Sequence, residues 1–409
     1  MEKSLDRKLA EIRRNFSTRT FILADAKDPD MGHGIASTGP RSPERFSPEE
    51  FRYRSLEEFR QAIRDVTRQG LVDIMLMSAS TNEQLTIKER IFDDSPVTPA
   101  ARANDTTDIH FIRGGRYPQS PSKPFRTATI DHIQCGKLEC EPEERILGAN
   151  LGLYSVTFNN DVERDLATLE AFKRFRLEAE AKGFRYFLEV FDPNVPGAVE
   201  PEKLGQFIND AVVRALAGVT ERGRPLFLKM VYHGPKAMEE LVNYDPKIIP
   251  GVLGGAAGTT YDAFKLISEA QKYGARVALF GRKINNAEHQ LAFVQFLRLI
   301  VDGTVTAEEA VRAYHEVLQK LGIRPKRSLA QDMQLTSSIL SYCSSAVAVP
   351  SALSSAAGAS SAPDAGQPEK PAEAVEDFPR LADGSPDFAR MTAAQKIEWG
   401  RRERDRIYG

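Results

Sequence analysis

A lysine in the middle of an apolar run is the first residue here whose surroundings ask for a chemical explanation. Lys229 lies in Leu226-Phe227-Leu228-Lys229-Met230-Val231. Burying an ammonium ion there without partners would be strongly unfavourable or would force it to lose its proton. A neutral amine is the form that attacks a carbonyl, so imine formation with a ketone is the chemistry this placement suggests. Two plainer readings stand beside it: a side chain snorkelling at a strand end, and a lysine paired with a carboxylate. Glu189 holds the matching place in Tyr186-Phe187-Leu188-Glu189-Val190-Phe191, one strand-helix unit earlier. A carboxylate within reach could take the hydroxyl proton released when a carbon–carbon bond breaks. It could equally do no more than neutralise Lys229 as an internal ion pair.

Three further groups are expected to converge on the same place. Asp25 closes the run Phe21-Ile22-Leu23-Ala24-Asp25, with Lys27 and Asp28 just beyond; these could orient substrate hydroxyls and the lysine, although Asp28-Pro29 also reads as an ordinary turn. Gly254 and Gly255 follow another apolar run, and Gly281-Arg282 follows the last. Glycines let backbone amides approach an anion closely, so with Arg282 they form a candidate phosphate site, against the plainer reading of tight turns. The six histidines show no metal-ligand spacing, and His233 reads as a loop residue that could touch substrate. No metal and no cofactor is expected. The glycine stretch lacks both the dinucleotide and the P-loop context.

Residues with these roles need rigid elements to hold them, and the sequence supplies a repeating one. Between Thr20 and Gly281, short apolar or β-branched runs alternate with helical patterns, at 20–25, 72–77, 127–133, 151–158, 185–191, 225–232, 248–253 and 276–281, the third being the weakest. Amphipathic segments such as 162–183, 201–219 and 260–274 fall between them. Eight strand-helix units predict an α/β fold of (β/α)₈ barrel type, with a doubly wound open sheet as the alternative. Long stretches at 26–54 and 79–126 would follow the first two strands, on the end where barrels build their sites, as lids, interfaces or decoration.

The remainder bounds the answer. A formal charge of -2 leaves no global basic field for nucleic acid, and no apolar run approaches the ~18 residues of a membrane span. Cys135, Cys140 and Cys343 are an odd number without a CxxC pair, which argues against a disulfide framework and for a reducing cytoplasm. Leu5, Leu9, Ile12 and Phe16 recur at helical spacing, predicting a docked N-terminal helix. The barrel is expected over 1–343, a Ser/Ala/Pro-rich linker over 344–385 and a short helix over 386–409 that could dock on a subunit, a scaffold or its own barrel.

From about Thr20 to Asp302 the chain resembles class I aldolases of the fructose-bisphosphate and tagatose-bisphosphate type, on the Lys229 run, the Gly254-Gly255 loop with the helix after it, and Phe280-Gly281-Arg282. The resemblance implies a Schiff base on Lys229, acid/base catalysis by Glu189, a role for Asp25, a sugar phosphate substrate and a homo-oligomer. Phe191 stands where one branch carries a tyrosine, and the run at 151–160 lacks the lysine of the other. Two rivals remain: a barrel isomerase, epimerase or transaldolase-like enzyme, and a non-catalytic barrel that binds partners through its tail.

Overall fold

The computed structural model describes residues 1–41, 53–255 and 258–336, together with 378–380, 390 and 395. Eight parallel strands close into a barrel: β1 (Ile22–Lys27), β2 (Ile74–Met77), β3 (Thr98–Arg102), β4 (Leu151–Thr157), β5 (Arg185–Phe191), β6 (Leu228–Met230), β7 (Gly251–Leu253) and β8 (Val277–Phe280). Each strand pairs with its neighbours in sequence, and β8 returns to β1 through Ile22 opposite Val277 and Asp25 opposite Phe280. This is the (β/α)₈ barrel expected from the alternating pattern. The principal helices are α1 (Ser4–Arg14), α2 (Leu56–Gln69), α3 (Val162–Ala181), α4 (Leu204–Ala217), α5 (Pro235–Tyr244), α6 (Thr260–Lys272), α7 (Gln290–Val301) and α8 (Ala307–Lys320). Caps fix several of their starts: Ser55 and Glu58 exchange side-chain and backbone bonds at α2, as do Thr306 and Glu309 at α8.

Because strand side chains alternate between faces, each strand divides its residues between barrel interior and helix layer. Ile22, Ala24 and Ala26 of β1 cluster with Ile74, Leu76, Ala100, Leu151, Leu153, Phe187, Val277 and Leu279, residues drawn from around the whole ring, so this is the interior. Leu5, Leu9 and Ile12 join them, and α1 thereby seals the end of the barrel where the strands begin. Phe187 stacks on Phe227 with centroids 4.7 Å apart. Burying each of these rings contributes about 2–3 kcal/mol. The opposite faces, with Leu23, Met75, Ala278 and Phe280 on one side and Tyr154, Val156 and Leu188 on the other, pack under the helices.

The third strand is displaced from its expected place. Residues 127–133 include the start of a short helix, Ile130–Cys135, capped by the Thr129 side chain, with Ile130 and Ile133 buried one turn apart. The true β3 is Thr98-Pro99-Ala100-Ala101-Arg102; its alanines and proline lack the β-branched signature that marks the other strands. The stretch 79–126 therefore divides. Its first part holds the β2–β3 connection, and residues 103–150 carry the chain from β3 to β4. Within the latter, Gly136 adopts φ +75° and turns the chain so that Cys135 and Cys140, with Cα atoms 6.0 Å apart, form a disulfide, against the expectation of none. The expected linker and terminal helix at 344–385 and 386–409 lie outside the described residues but for the five named above. Among the described residues no helix is long and apolar enough to cross a membrane.

Candidate active site

Lys229 and Glu189 come together at the end of the barrel where the strands finish. They are opposite each other in the β5–β6 register, and both belong to the interior face, two residues beyond Phe227 and Phe187. The Lys229 ammonium touches Glu189 Oε1. The other oxygen, Oε2, accepts from Ser155 Oγ of β4 at 2.7 Å and from the Arg102 guanidinium of β3 at 3.3 Å. Arg102 also pairs with Asp28, just past β1, and donates to Ser155 Oγ at 3.1 Å. Ser155 is itself held by Asn104, whose side-chain amide exchanges bonds of 2.8 and 2.6 Å with the Ser155 backbone. Side chains from five parts of the barrel thus form one network, with Lys229 7%, Glu189 2%, Arg102 6% and Asp28 5% exposed.

The charges in this network alternate, which is what makes their burial tolerable. Burial works to raise the Asp28 pKa, but the adjoining Arg102 and Lys229 cations outweigh it and hold the carboxyl below its usual range. Burial likewise opposes the Arg102 charge, and Asp28, Asp105 and Glu189 together reverse that effect, so the guanidinium stays firmly protonated. Asp105, 3.8 Å from Arg102, is pushed up to about 6 by burial despite that cation.

Loops after β1 and β3 fold over these groups. The Phe111 amide donates to the Gly32 carbonyl at 2.6 Å, and His33 stacks on Phe111 with centroids 4.9 Å apart. Burial, aided by the Arg282 charge, lowers the His33 pKa to about 3, so this imidazole is neutral. Asp30 accepts from Ser78, which caps the helical turn after β2, and burial lifts its pKa to about 6. Asp108 receives bonds from Ser122 at 2.8 Å and from Thr157, at the end of β4, at 2.9 Å.

The other expected residues are distributed differently. Asp25 and Lys27 form a 2.9 Å ion pair, fully buried, but they share the strand face of Leu23, which packs with Phe59 and Ile63 of α2. They therefore point into the helix layer, and the position expected of them in the mouth is taken by Asp28. A shift of one residue along a strand reverses the face, and that explains the correction. Gly254 donates its amide to Leu279 in the sheet at 2.9 Å, so this amide is not free to bind phosphate. A Cβ there would stand 2.1 Å from the Phe280 ring, which accounts for the glycine by packing. Gly255 has φ +60°, and a Cβ at Gly281 would meet the Ala26 carbonyl at 2.7 Å. Arg282 opens the short helix Arg282–Asn285 and lies within electrostatic reach of His33. His233, on the loop after β6, bonds to Asp192 at 2.9 Å.

Arg102, Ser155 and Asp105 have no place in the expectations from sequence. With β3 assigned some thirty residues too late, Arg102 and Asp105 fall in an apparent loop. The signal that could have found Arg102 is its position at the end of a short apolar segment, Val97-Thr98-Pro99-Ala100-Ala101, followed by polar residues. Ser155 lies within the expected fourth strand, Leu151 to Phe158, and its type carries no marker of function.

A closed ring of eight parallel strands, with helices outside and ionisable side chains gathered at its carboxyl end, defines the (β/α)₈ class. Solved (β/α)₈ barrels superpose on it at low sequence identity. An archaeal fructose 1,6-bisphosphate aldolase superposes with a TM-score of 0.50 at 16% identity, covering 72% of this chain and 99% of that one. A Schiff-base-forming fructose-1,6-bisphosphate aldolase gives 0.49 at 16% identity over the same shares. The orotidine 5′-phosphate decarboxylase of Pyrococcus horikoshii gives 0.37 at 11% identity, covering 69% and 99%. No family model matches the chain, and no curated protein matches it in sequence.

Proposed function

We propose that this protein is a class I aldolase that cleaves or forms a carbon–carbon bond in a ketose phosphate through a Schiff base on Lys229. The observation that carries the reading is the contact between Lys229 and Glu189, buried in the barrel mouth. Glu189 takes a proton from the ammonium, and the freed amine attacks the ketone carbon. Glu189 hands that proton to the departing carbinolamine hydroxyl, and loss of water gives an iminium. The hydroxyl on the β carbon then yields its proton to Glu189 while the electrons of the adjoining C–C bond move into the iminium. An aldehyde leaves and an enamine remains. Glu189 then gives this proton to the enamine carbon, and hydrolysis of the resulting iminium returns the ketone and the lysine. Asp28 takes the orienting role first expected of Asp25, since it faces the same cluster. The Gly255 and Gly281 backbone with Arg282 forms the candidate phosphate end.

A panel of ketose phosphates assayed for aldehyde release tests this, with Glu189→Gln as control. Release that falls at least about 100-fold in the variant supports the reading. Turnover of isomers or epimers without aldehyde release, unaffected by borohydride, would move the barrel to proton-transfer chemistry instead.

A further inference from the structure

The same carboxylate is asked to deprotonate an amine and later a hydroxyl, and it must do so at the atom that faces the substrate. A free glutamate has two equivalent oxygens and can carry a proton on either. Glu189 does not have that freedom. Its Oε2 is bound by two donors from different strands, Ser155 Oγ at 2.7 Å and Arg102 at 3.3 Å, while Oε1 alone meets Lys229. Arg102 in turn is anchored by Asp28 across the barrel and shares Ser155 Oγ, so its planar fork is fixed at both ends.

We propose that Arg102 is a positioning residue that, with Ser155, reserves Glu189 Oε2 and so makes Oε1 the single atom of proton transfer beside Lys229. The inference rests on the Schiff-base reading and adds to it the group that sets the geometry of its base. Strand β4 offers no lysine in this chain, and the second cation of the site comes from β3. A guanidinium cannot be deprotonated in a protein, so the second cation keeps its charge while Lys229 cycles between ammonium, amine and iminium. Each proton that leaves Lys229 or a substrate hydroxyl therefore arrives on Oε1, and each that returns departs from it. The proton count on the network closes after one turnover.

The test uses the full-length protein and three variants: Arg102→Met, Arg102→Lys and Ser155→Ala. For each, imine formation is read as the borohydride-reduced adduct of a ketose phosphate on Lys229, and cleavage as kcat and KM separately. Arg102→Met is expected to form the adduct but to lose roughly 100-fold in kcat with little change in KM. Arg102→Lys should recover only part of the rate, since it returns the charge without the fork. Ser155→Ala should lower kcat about tenfold in the same sense. Should Arg102→Met fail to fold, the lysine and alanine variants carry the decision. Wild-type kcat in both Arg102→Lys and Ser155→Ala, or losses that track melting temperature alone, overturn the inference. Absence of any adduct in the wild type instead overturns the Schiff-base reading on which it stands.

Discussion

Among the described residues two lysine–carboxylate pairs are buried in the barrel, and they differ in the face they occupy. Lys27 and Asp25 sit two residues apart on β1 and point together into the helix layer, with no exposed surface at all. Lys229 and Glu189 lie opposite each other on β6 and β5, point into the barrel mouth, and are joined by Arg102, Ser155 and Asp28. Composition alone would rank the two pairs alike. Burial even singles out the β1 pair, since it lowers the Lys27 pKa and raises that of Asp25, a pattern shared with groups tuned for catalysis. What separates them is strand parity: one pair faces the helix layer, the other the barrel mouth.

This contrast breaks most cleanly at Lys229. Lys229→Met should lower aldol cleavage at least about 1000-fold. Measurable cleavage near the wild-type rate would remove the distinction between the pairs. Lys27→Met is expected to do the opposite, leaving the Asp25 carboxylate buried and alone and destabilising the fold by about 3–5 kcal/mol in denaturant titration. Adding Asp25→Asn should recover a large part of that loss, with kcat per folded molecule little changed. If the double variant were folded but inactive, the β1 pair would belong to the site after all.

The acids around the mouth sharpen the comparison through pH. Asp105 titrates at about 6 in the folded chain, against about 4 when unfolded. The folded state therefore holds this proton more tightly, and the contribution to stability is present at low pH and falls as the pH rises from about 4 through about 6. Asp105→Asn should abolish that fall, worth on the order of 2 kcal/mol. Wild-type and variant stability curves that stay parallel across this window would show that Asp105 is not held in the dry surroundings described. The smallest effect expected is in the covering loops. Phe111→Ala removes the ring under His33 and should weaken the closed arrangement by about 1 kcal/mol, or roughly fivefold faster amide exchange at the Gly32–Phe111 hydrogen bond. Unchanged protection would mean that other contacts hold the loops.

Most of the barrel was legible because seven of its strands carry dense apolar runs. The eighth, Thr98-Pro99-Ala100-Ala101-Arg102, is built from residues whose burial depends on neighbours rather than on their own pattern. Its loss hid Arg102 and Asp105 with it. Lys229 and Glu189 were legible because a charge inside an apolar run is conspicuous and because both sit at the same phase of their strands. The misassignment of Asp25 and Lys27 has a physical source: β1 is buried on both faces, so its sequence shows no alternation from which to read which face a charge takes. The glycines after β7 and β8 were legible as points of close backbone approach. For Gly254 the nearby group is the Phe280 ring.

Among the described residues, Lys229, Lys27 and Lys283 are the buried lysines to be weighed as nucleophiles. Burial brings Lys283 down to about 8, and yet its amine is occupied by the Gly258 and Thr259 carbonyls at 2.6 and 2.9 Å. Lys27 is tied to Asp25, and only Lys229 combines a base at contact distance with a place in the mouth. Reducing the full-length protein with borohydride in the presence of a ketose phosphate, then mapping the modified peptide by mass spectrometry, decides among them. One sugar phosphate per chain on the peptide carrying Lys229 is the result this account predicts. A modification on Lys27 or Lys283, or continued aldehyde release with every lysine unmodified, would contradict it.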